Sequence, residues 1–193
     1  MQWRMLTRRC PSRSMTVVGD LAQATTPWAA RSWEEVADRA GVPEAKHVEL
    51  TIGYRTPAEV MELAARVLAV AHPELAAPVS VRRSGRDPVF IAAGTDLADA
   101  VAAARGDDDD RLSAVIAPSG SVPGAQTVAE VKGLEFDRVI VVEPAAVVRE
   151  SGLTGLYVAL TRTTGDLAIV HREPVPDVLD AAILSSPPST SAV

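Results

Sequence analysis

Two arginines stand where a guanidinium can bind phosphate. Arg55 comes immediately before Thr56-Pro57, a pair typical of a helix start. A guanidinium beside the amino terminus of a helix suits the geometry of a phosphate group. Arg162 closes the apolar run of residues 156–160, where an arginine can act as an arginine finger on a transferring phosphoryl group. Each arginine also has a plainer interpretation, a surface salt bridge for Arg55 and a favourable helix-dipole contact for Arg162.

Two further loops place polar side chains next to glycine. Gln23 ends a turn that opens at Gly19, and its amide can orient a water molecule or contact a phosphate; a plain polar turn is the alternative. The loop of Lys132 and Gly133 also carries Glu135, whose carboxylate can accept hydrogen bonds from ribose hydroxyls. Solvated loop charge is the alternative there. Taken one at a time, these loops do not identify a function.

The composition is that of a globular protein. The chain has 193 residues, 47% of them hydrophobic and 23% charged, which excludes collagen-like, coiled-coil and wholly disordered classes. A formal net charge of −6 argues against a broad basic surface, although a local basic groove stays open. The single cysteine, Cys10, excludes a disulfide framework and a cysteine-rich zinc site, and no metal site is predicted. No apolar run reaches the roughly 18–20 residues of a membrane helix, and no signal peptide is present, so a cytoplasmic protein without membrane contact is expected.

Short apolar runs alternate with helical patterns along the chain. The predicted strands cover residues 14–18, 47–51, 88–92, 114–117, 138–142 and 166–170. Helices are predicted over residues 32–40, 96–104 and 153–161, and from a capping box at Thr56 to Ala71. This alternation is typical of an α/β fold with a parallel sheet covered by helices on both faces. Because ligands of such sheets lie beyond the carboxyl ends of the strands, we expect the polar loops at that edge.

In their residues and in their order along the chain, the four loops resemble four motifs of the UvrD/Rep-type superfamily 1 helicases. Gly19-Asp20-Leu21-Ala22-Gln23 resembles motif III, and Tyr54-Arg55-Thr56-Pro57 resembles motif IV. Lys132-Gly133-Leu134-Glu135-Phe136-Asp137 is similar to motif V, and Leu156-Tyr157-Val158-Ala159-Leu160-Thr161-Arg162 to motif VI; these two are the specific ones. The resemblance covers about residues 1–170. The sequence departs from the family at Gly53, often asparagine, and at Thr163, often alanine.

The resemblance implies a RecA-like, P-loop NTPase-type fold and an ATP site between two RecA-like domains. In such a site, Gln23 and Arg55 would face the γ-phosphate. Glu135 would bond the ribose, with Gly133 beside the phosphates. Arg162 would be the arginine finger, which places it with Arg55 and Gln23 among the expected catalytic residues.

The resemblance also implies a division of the chain and a branch of the family. Residues 1–30 are expected to be the tail end of a first RecA-like domain, residues 31–175 a second RecA-like domain, and residues 176–193 a disordered tail. The segment from Arg55 to Lys132 leaves no room for the domain that unwinding helicases insert there. This compactness resembles the HelD, helicase IV-like branch, whose members release RNA polymerase from nucleic acid with ATP.

Two motifs of a complete ATPase have no counterpart in the sequence. These are G-x-x-x-x-G-K-[ST], which cradles the phosphates, and the acidic motif II, which holds Mg²⁺. The chain is therefore expected to be the carboxyl-terminal half of a motor, inactive alone, that uses ATP and Mg²⁺ with magnesium ligands outside this chain. Its expected partners are the missing amino-terminal RecA-like half, RNA polymerase and, in the full-length motor, DNA. The alternatives are a non-catalytic module that binds RNA polymerase or a motor partner, and a truncated gene product.

Overall fold

The computed structural model describes residues 2–12, 14–26, 28–94, 96–106 and 110–180. The amino-terminal part contains helices α1 (Gln2–Arg9) and α2 (Trp33–Ala40), with a 3-10 turn at Leu21–Gln23 between them. A small parallel sheet follows, in which β1 (Ile52–Gly53) pairs with β2 (Val79–Ser80) and helix α3 (Ala58–Ala71) connects the two strands. Within the described ranges, no helix is long and apolar enough to cross a membrane.

A four-stranded parallel sheet forms the centre of the molecule. Its strands are β3 (Val89–Ala92), β4 (Ser113–Ile116), β5 (Phe136–Val142) and β6 (Thr163–His171), in the spatial order β3-β6-β5-β4. Each lies over a strand that the sequence predicts. The two central strands, β5 and β6, each contain a run of four buried apolar residues, 139–142 and 167–170, because both of their faces are covered there.

Helices cover both faces of this sheet. Helix α4 (Leu97–Arg105) packs Leu97 and Val101 on one face. Helix α3 packs on the opposite face together with α5 (Val128–Val131) and α6 (Pro144–Leu160). The predicted α/β fold with a parallel sheet between two helical layers is confirmed. Helix α6 is longer than predicted and is interrupted at Gly152, whose φ of 70° and ψ of 177° are not helical.

Two of the predicted strands are wrong. The structure has no strand at residues 14–18 or 47–51; β1 begins only at Ile52. Val18 is 84% exposed and Leu50 is 82% exposed, so neither apolar side chain has reached a core. An apolar run indicates that a segment can pair as a strand, but pairing also needs a neighbouring strand. In the described part of the chain no strand pairs with residues 14–18, and the second run reaches one only at its last residue, where the Val79 amide donates to the Thr51 carbonyl at 2.8 Å.

The helix starts agree with the sequence in one case and differ in another. The predicted cap of α2 is present, since the hydroxyl of Ser32 accepts from the Glu35 amide at 3.2 Å, although the Glu35 carboxylate accepts from the Arg31 amide rather than from Ser32. The capping box predicted at Thr56 is wrong. Helix α3 begins after Pro57 without a side-chain cap, because the Thr56 hydroxyl donates to the carbonyl of Thr161 at 3.5 Å instead.

The carboxylate predicted to close that capping box binds elsewhere. Glu59 accepts from the backbone amides of Ser84 and Gly85, at 3.2 and 3.0 Å. The hydrogen bond from its own backbone amide, together with those from Ser84 and Gly85, lowers the pKa of Glu59 to about 2. A capping box does form at α5, where the Thr127 hydroxyl and the Glu130 carboxylate bond each other's backbone amides; the sequence prediction missed this helix.

The ordered chain continues beyond the predicted start of the tail at residue 176. A 3-10 turn at Asp177–Leu179 follows β6. Leu179 is fully buried and belongs to the core that α3 and α6 form. Residues 181–193, the rest of the predicted disordered tail, lie outside the described residues.

Candidate functional site

Gln23 is held at the end of a short turn that packs on α6. The side chain of Asp20 caps this turn by accepting from the Ala22 amide at 2.9 Å. Ala22 is buried in the same core as α6, which anchors the turn to the main body. The Gln23 side-chain amide donates to the Asp20 carboxylate at 2.7 Å, so its oxygen points the other way. That oxygen faces Arg162.

Arg162 follows α6 and is 7% exposed. Its Nε donates to the carbonyl of Val158 at 3.0 Å, and its Nη1 donates to the carbonyl of Leu134 at 3.4 Å. Its Nη2 lies 3.4 Å from Oε1 of Gln23 and 3.3 Å from the Thr161 hydroxyl. The guanidinium is therefore fixed by partners from three segments, and all of these partners are neutral.

Burial is the main electrostatic influence on Arg162. It lowers the pKa of the guanidinium, because a low dielectric disfavours the charged form. The charge of Arg55 acts in the same direction, while Glu135, Tyr157 and Asp20 raise the pKa of Arg162. The contacts of Arg162 with Gln23 and with the carbonyl of Leu134, next to Glu135, place these residues in one neighbourhood.

Arg55 and Glu135 form an ion pair, with Nη1 of Arg55 2.5 Å from Oε1 of Glu135. Their side chains are 65% and 38% exposed, so solvent screens the attraction. Arg55 follows β1, and Glu135 immediately precedes β5. The ion pair therefore joins two segments that are distant in the chain.

The loop that carries Glu135 also touches the Gln23 segment. Nζ of Lys132 donates to the Thr25 hydroxyl at 3.4 Å. Gly133 has a φ of 84°, a left-handed conformation that other residues adopt only with strain. The space around a Cβ placed on Gly133 is open, so the glycine is required by the turn rather than by crowding.

The structure brings together the predicted site residues Gln23, Arg55, Glu135 and Arg162, with Gly133 in the adjoining turn. Two of them lie at the edge opposite to the one predicted, whereas Arg55 follows β1 as predicted. Glu135 and Arg162 stand just before β5 and β6, at the amino-terminal edge of the sheet. Helix α6 connects two parallel strands, so it runs antiparallel to both and delivers Arg162 back to the edge where β6 starts.

Some partners of the site were not visible in the sequence. The carbonyls of Val158 and Leu134 hold Arg162, but a backbone acceptor has no residue-type signature. The side chain of Thr56, predicted as a helix cap, instead links the Arg55 segment to Thr161. In the described part of the chain, no group of three or more His, Cys, Asp or Glu side chains could hold a metal ion.

The site combines donors and acceptors in a way that suits an anionic, hydroxyl-bearing ligand. Two guanidiniums and a lysine provide positive charge, and the Glu135 carboxylate provides an acceptor. The fold and this cluster of side chains place the protein in the class of parallel α/β domains with an arginine-rich site. The chain belongs to the family of the viral superfamily 1 RNA helicase core domain, whose family model matches residues 15–171.

Several solved structures are similar to this chain. The C-terminal domain of a possible DNA helicase from Lactobacillus plantarum WCFS1 is 18% identical, with a TM-score of 0.47; the match covers 66% of this chain and 92% of that one. The PRRSV helicase is 16% identical, with a TM-score of 0.42 and coverage of 65% and 23%. Arterivirus nonstructural protein 10, a helicase in complex with DNA, is 17% identical, with a TM-score of 0.43 and coverage of 82% and 31%.

The chain thus spans about a quarter to a third of the two viral helicases that it resembles. No protein of curated function matches it. The family match confirms the predicted superfamily 1 helicase domain with its RecA-like fold. The UvrD/Rep and HelD assignments are finer than this match and stay predictions.

Proposed function

We propose that this chain supplies one wall of the ATP site of a superfamily 1 helicase motor. The observation that carries the proposal is that Gln23, Arg55, Glu135 and Arg162 come together from four separate segments. Arg162 contacts Gln23 and the carbonyl of Leu134, next to Glu135, and Glu135 pairs with Arg55. Motif resemblance alone does not require that the four side chains meet. Their roles are those expected for a phosphoryl-transfer site, in which positioning and electrostatics carry most of the catalysis.

The residues at this edge fit a nucleoside triphosphate. Arg162 and Arg55 present guanidinium groups whose fork geometry suits phosphate oxygens. Burial of Arg162 strengthens its field, because its charge acts in a low dielectric. The Glu135 carboxylate can accept from ribose hydroxyls once its ion pair with Arg55 opens. Hydrolysis of bound ATP supplies the energy of the motor; this chain contributes binding and charge stabilisation.

We propose that the rest of the ATP site comes from another RecA-like domain, the first domain of the motor, in a longer protein or on another chain. The sequence contains no G-x-x-x-x-G-K-[ST] motif, and among the described residues no carboxylate cluster could hold a metal ion. In this proposal residues 1–30 belong with that first domain and residues 31–175 form the second one. Residues 20–25 would link the two, since Ala22 packs in the core with α6 and Thr25 bonds Lys132.

The proposed ATP site is tested by nucleotide titration of the purified chain, followed by amide NMR. We expect millimolar ATP to shift the resonances of Gln23, Arg55, residues 133–135 and Arg162, and adenosine, which lacks phosphates, to leave them unchanged. Arg162→Ala should reduce the response, whereas Arg149→Ala should not. Arg149 is the matched control because it pairs with Glu173 at 2.7 Å and does not contact the site. Absence of any shift at these residues would overturn the ATP site.

ATP hydrolysis tests whether this chain forms only part of the ATP site or a complete one. The chain alone should release no phosphate from ATP in the presence of Mg²⁺, because it lacks a phosphate cradle of its own. Magnesium-dependent turnover that disappears in Arg162→Ala would refute the proposal of a divided site, while leaving ATP binding in place.

We also propose that the motor belongs to the HelD-like branch, acting on RNA polymerase. The support is the compactness of the segment between Arg55 and Lys132: its described residues hold only α3, β2, β3, α4, β4 and α5, with no additional domain. The test is co-sedimentation of the chain with RNA polymerase core enzyme, with DNA alone as the comparison. Stoichiometric binding to polymerase supports this branch, and binding to DNA alone contradicts it.

A further inference from the structure

Arg82 links the two arginine segments of the site, although no motif includes it. It lies two residues after β2, and its side chain is exposed. Its Nη1 donates to the carbonyl of Arg55 at 3.0 Å and also to the carbonyl of Thr164. The first carbonyl belongs to a site arginine, and the second lies two residues after Arg162. A single guanidinium nitrogen, Nη1 of Arg82, therefore bonds both the Arg55 segment and the segment that follows Arg162.

The backbone of Arg82 is held independently of its side chain. Its carbonyl accepts from the amide of Ala58, the first residue of α3, at 2.8 Å. Its amide donates to the Ser80 hydroxyl at 3.3 Å, and that hydroxyl donates to the carbonyl of Thr56 at 2.6 Å. These bonds fix the Arg82 backbone on the Arg55 side of the site. Only the side chain reaches across to β6.

Charge compensation does not explain this geometry. In the described part of the chain, no carboxylate lies within ion-pair distance of Arg82. Its neighbours differ: Arg83 pairs with Glu62 at 3.3 Å, and Arg86 pairs with Asp166 at 2.9 Å. An exposed arginine that bonds two carbonyls and no carboxylate has the character of a structural bridge.

We infer that Arg82 is a positioning residue that sets the spacing between the guanidiniums of Arg55 and Arg162, so that both can face one phosphate group. The inference rests on the proposed function, and it adds a residue that acts through two others. Arg55 needs such a constraint because its side chain is mostly exposed and, among the described residues, its guanidinium pairs only with Glu135, in an ion pair that solvent screens. Fixing charged donors before the ligand arrives lowers the cost of organising the site.

The test compares Arg82→Gln with Arg83→Gln in the full chain. Both variants remove one positive charge from adjacent, exposed positions, but only Arg82 contacts the site. Without ligand, Arg82→Gln should shift the amide resonances of Thr56 and Gly165, which follow the two carbonyls that lose a donor, and leave those of β5 unchanged. The affinity of Arg82→Gln for ATP should be about three- to tenfold lower than that of the wild-type chain, the range expected for one or two lost hydrogen bonds. Arg82→Lys, which keeps a donor, should recover part of this loss.

The outcomes separate this inference from the proposed function. If the wild-type chain responds to ATP and Arg82→Gln binds as well as Arg83→Gln, the positioning role is overturned while the ATP site stands. If the wild-type site does not respond to ATP, the proposed function fails, and the positioning role fails with it. Unchanged Thr56 and Gly165 resonances in ligand-free Arg82→Gln would also overturn the bridge.

Discussion

Glu135→Gln should strengthen the binding of a bare polyphosphate. In the free protein the guanidinium of Arg55 lies 2.5 Å from the Glu135 carboxylate, so an arriving phosphate has to displace that carboxylate. With side chains 65% and 38% exposed, the pair contributes about 0.2–1 kcal/mol. Removing this competition should raise the affinity for tripolyphosphate by at most about fivefold, the equivalent of 1 kcal/mol.

ATP should respond differently, because it carries a ribose. If Glu135 accepts from the ribose hydroxyls, its loss costs about 0.5–1.5 kcal/mol of ATP binding, which offsets the gain at Arg55. The affinity ratio of ATP to tripolyphosphate should therefore fall in Glu135→Gln, by up to about tenfold. Calorimetric titration of both ligands at low and high salt measures this ratio. The gain for tripolyphosphate should shrink at high salt, since the ion pair is screened.

Glu62→Gln is the control for net charge. Glu62 also pairs with an exposed arginine, Arg83, at 3.3 Å, but neither residue contacts the site. An equal gain in Glu62→Gln would show that the effect is a general change of charge. Weaker binding of tripolyphosphate to Glu135→Gln would refute the competition, and an equal gain for ATP and tripolyphosphate would refute the ribose role.

Three further expectations concern stability. Burial raises the pKa of Tyr157 to about 12, so above pH 10 this tyrosine loses its proton in the unfolded chain before it does so in the folded protein. The free energy of unfolding should therefore fall between pH 10 and pH 12, on the order of 2 kcal/mol, and Tyr157→Phe should flatten that fall in urea titrations. Gly165→Ala should lower the free energy of unfolding by about 2 kcal/mol or more, because a Cβ there would lie 2.5 Å from the Asp137 carbonyl oxygen. Its control, Gly94→Ala, places a Cβ in open space and should leave the free energy of unfolding unchanged in the same titration. Leu50→Asp, at an 82% exposed position, should leave stability unchanged within about 0.5 kcal/mol and reduce self-association in light scattering.

The main sheet could be predicted because its strands are apolar on both faces. Val139, Ile140 and Val141 are consecutive and fully buried, which is the pattern that a central parallel strand requires. A run of this kind admits few other structures. The predicted and observed strands therefore agree in β3 to β6 to within a few residues at each end.

The amino-terminal strands could not be predicted in the same way. The runs at residues 14–18 and 47–51 have strand-like composition, yet Val18 and Leu50 remain exposed. Strand propensity describes how well a side chain packs on a sheet, so it carries no information about whether a partner strand is present. The same limit explains the capping box at Thr56, whose hydroxyl has a tertiary acceptor that local sequence does not encode.

The residues of the candidate site could be named from the sequence, but their arrangement in space could not. For Glu135 and Arg162 the edge of the sheet was predicted incorrectly, because the rule for carboxyl ends describes domains that hold a ligand at their own strand ends. Arg162 is delivered by the return of α6 to the opposite edge. The bridge made by Arg82 is invisible for another reason, since both of its acceptors are backbone carbonyls.

The environment of Arg162 argues that this edge exists to meet an anion. A buried cation is unfavourable unless it is compensated, and in the described part of the chain no carboxylate lies within ion-pair distance of this guanidinium. Burial lowers its pKa, which means that folding works against its charge. A structure selected for stability alone would pack an apolar side chain there. Carbonyl and amide partners hold the guanidinium in place, while the carboxylates of Glu135 and Asp20 act on its charge only from beyond ion-pair distance. In the proposed ATP site, a phosphate would supply the negative charge that this guanidinium lacks.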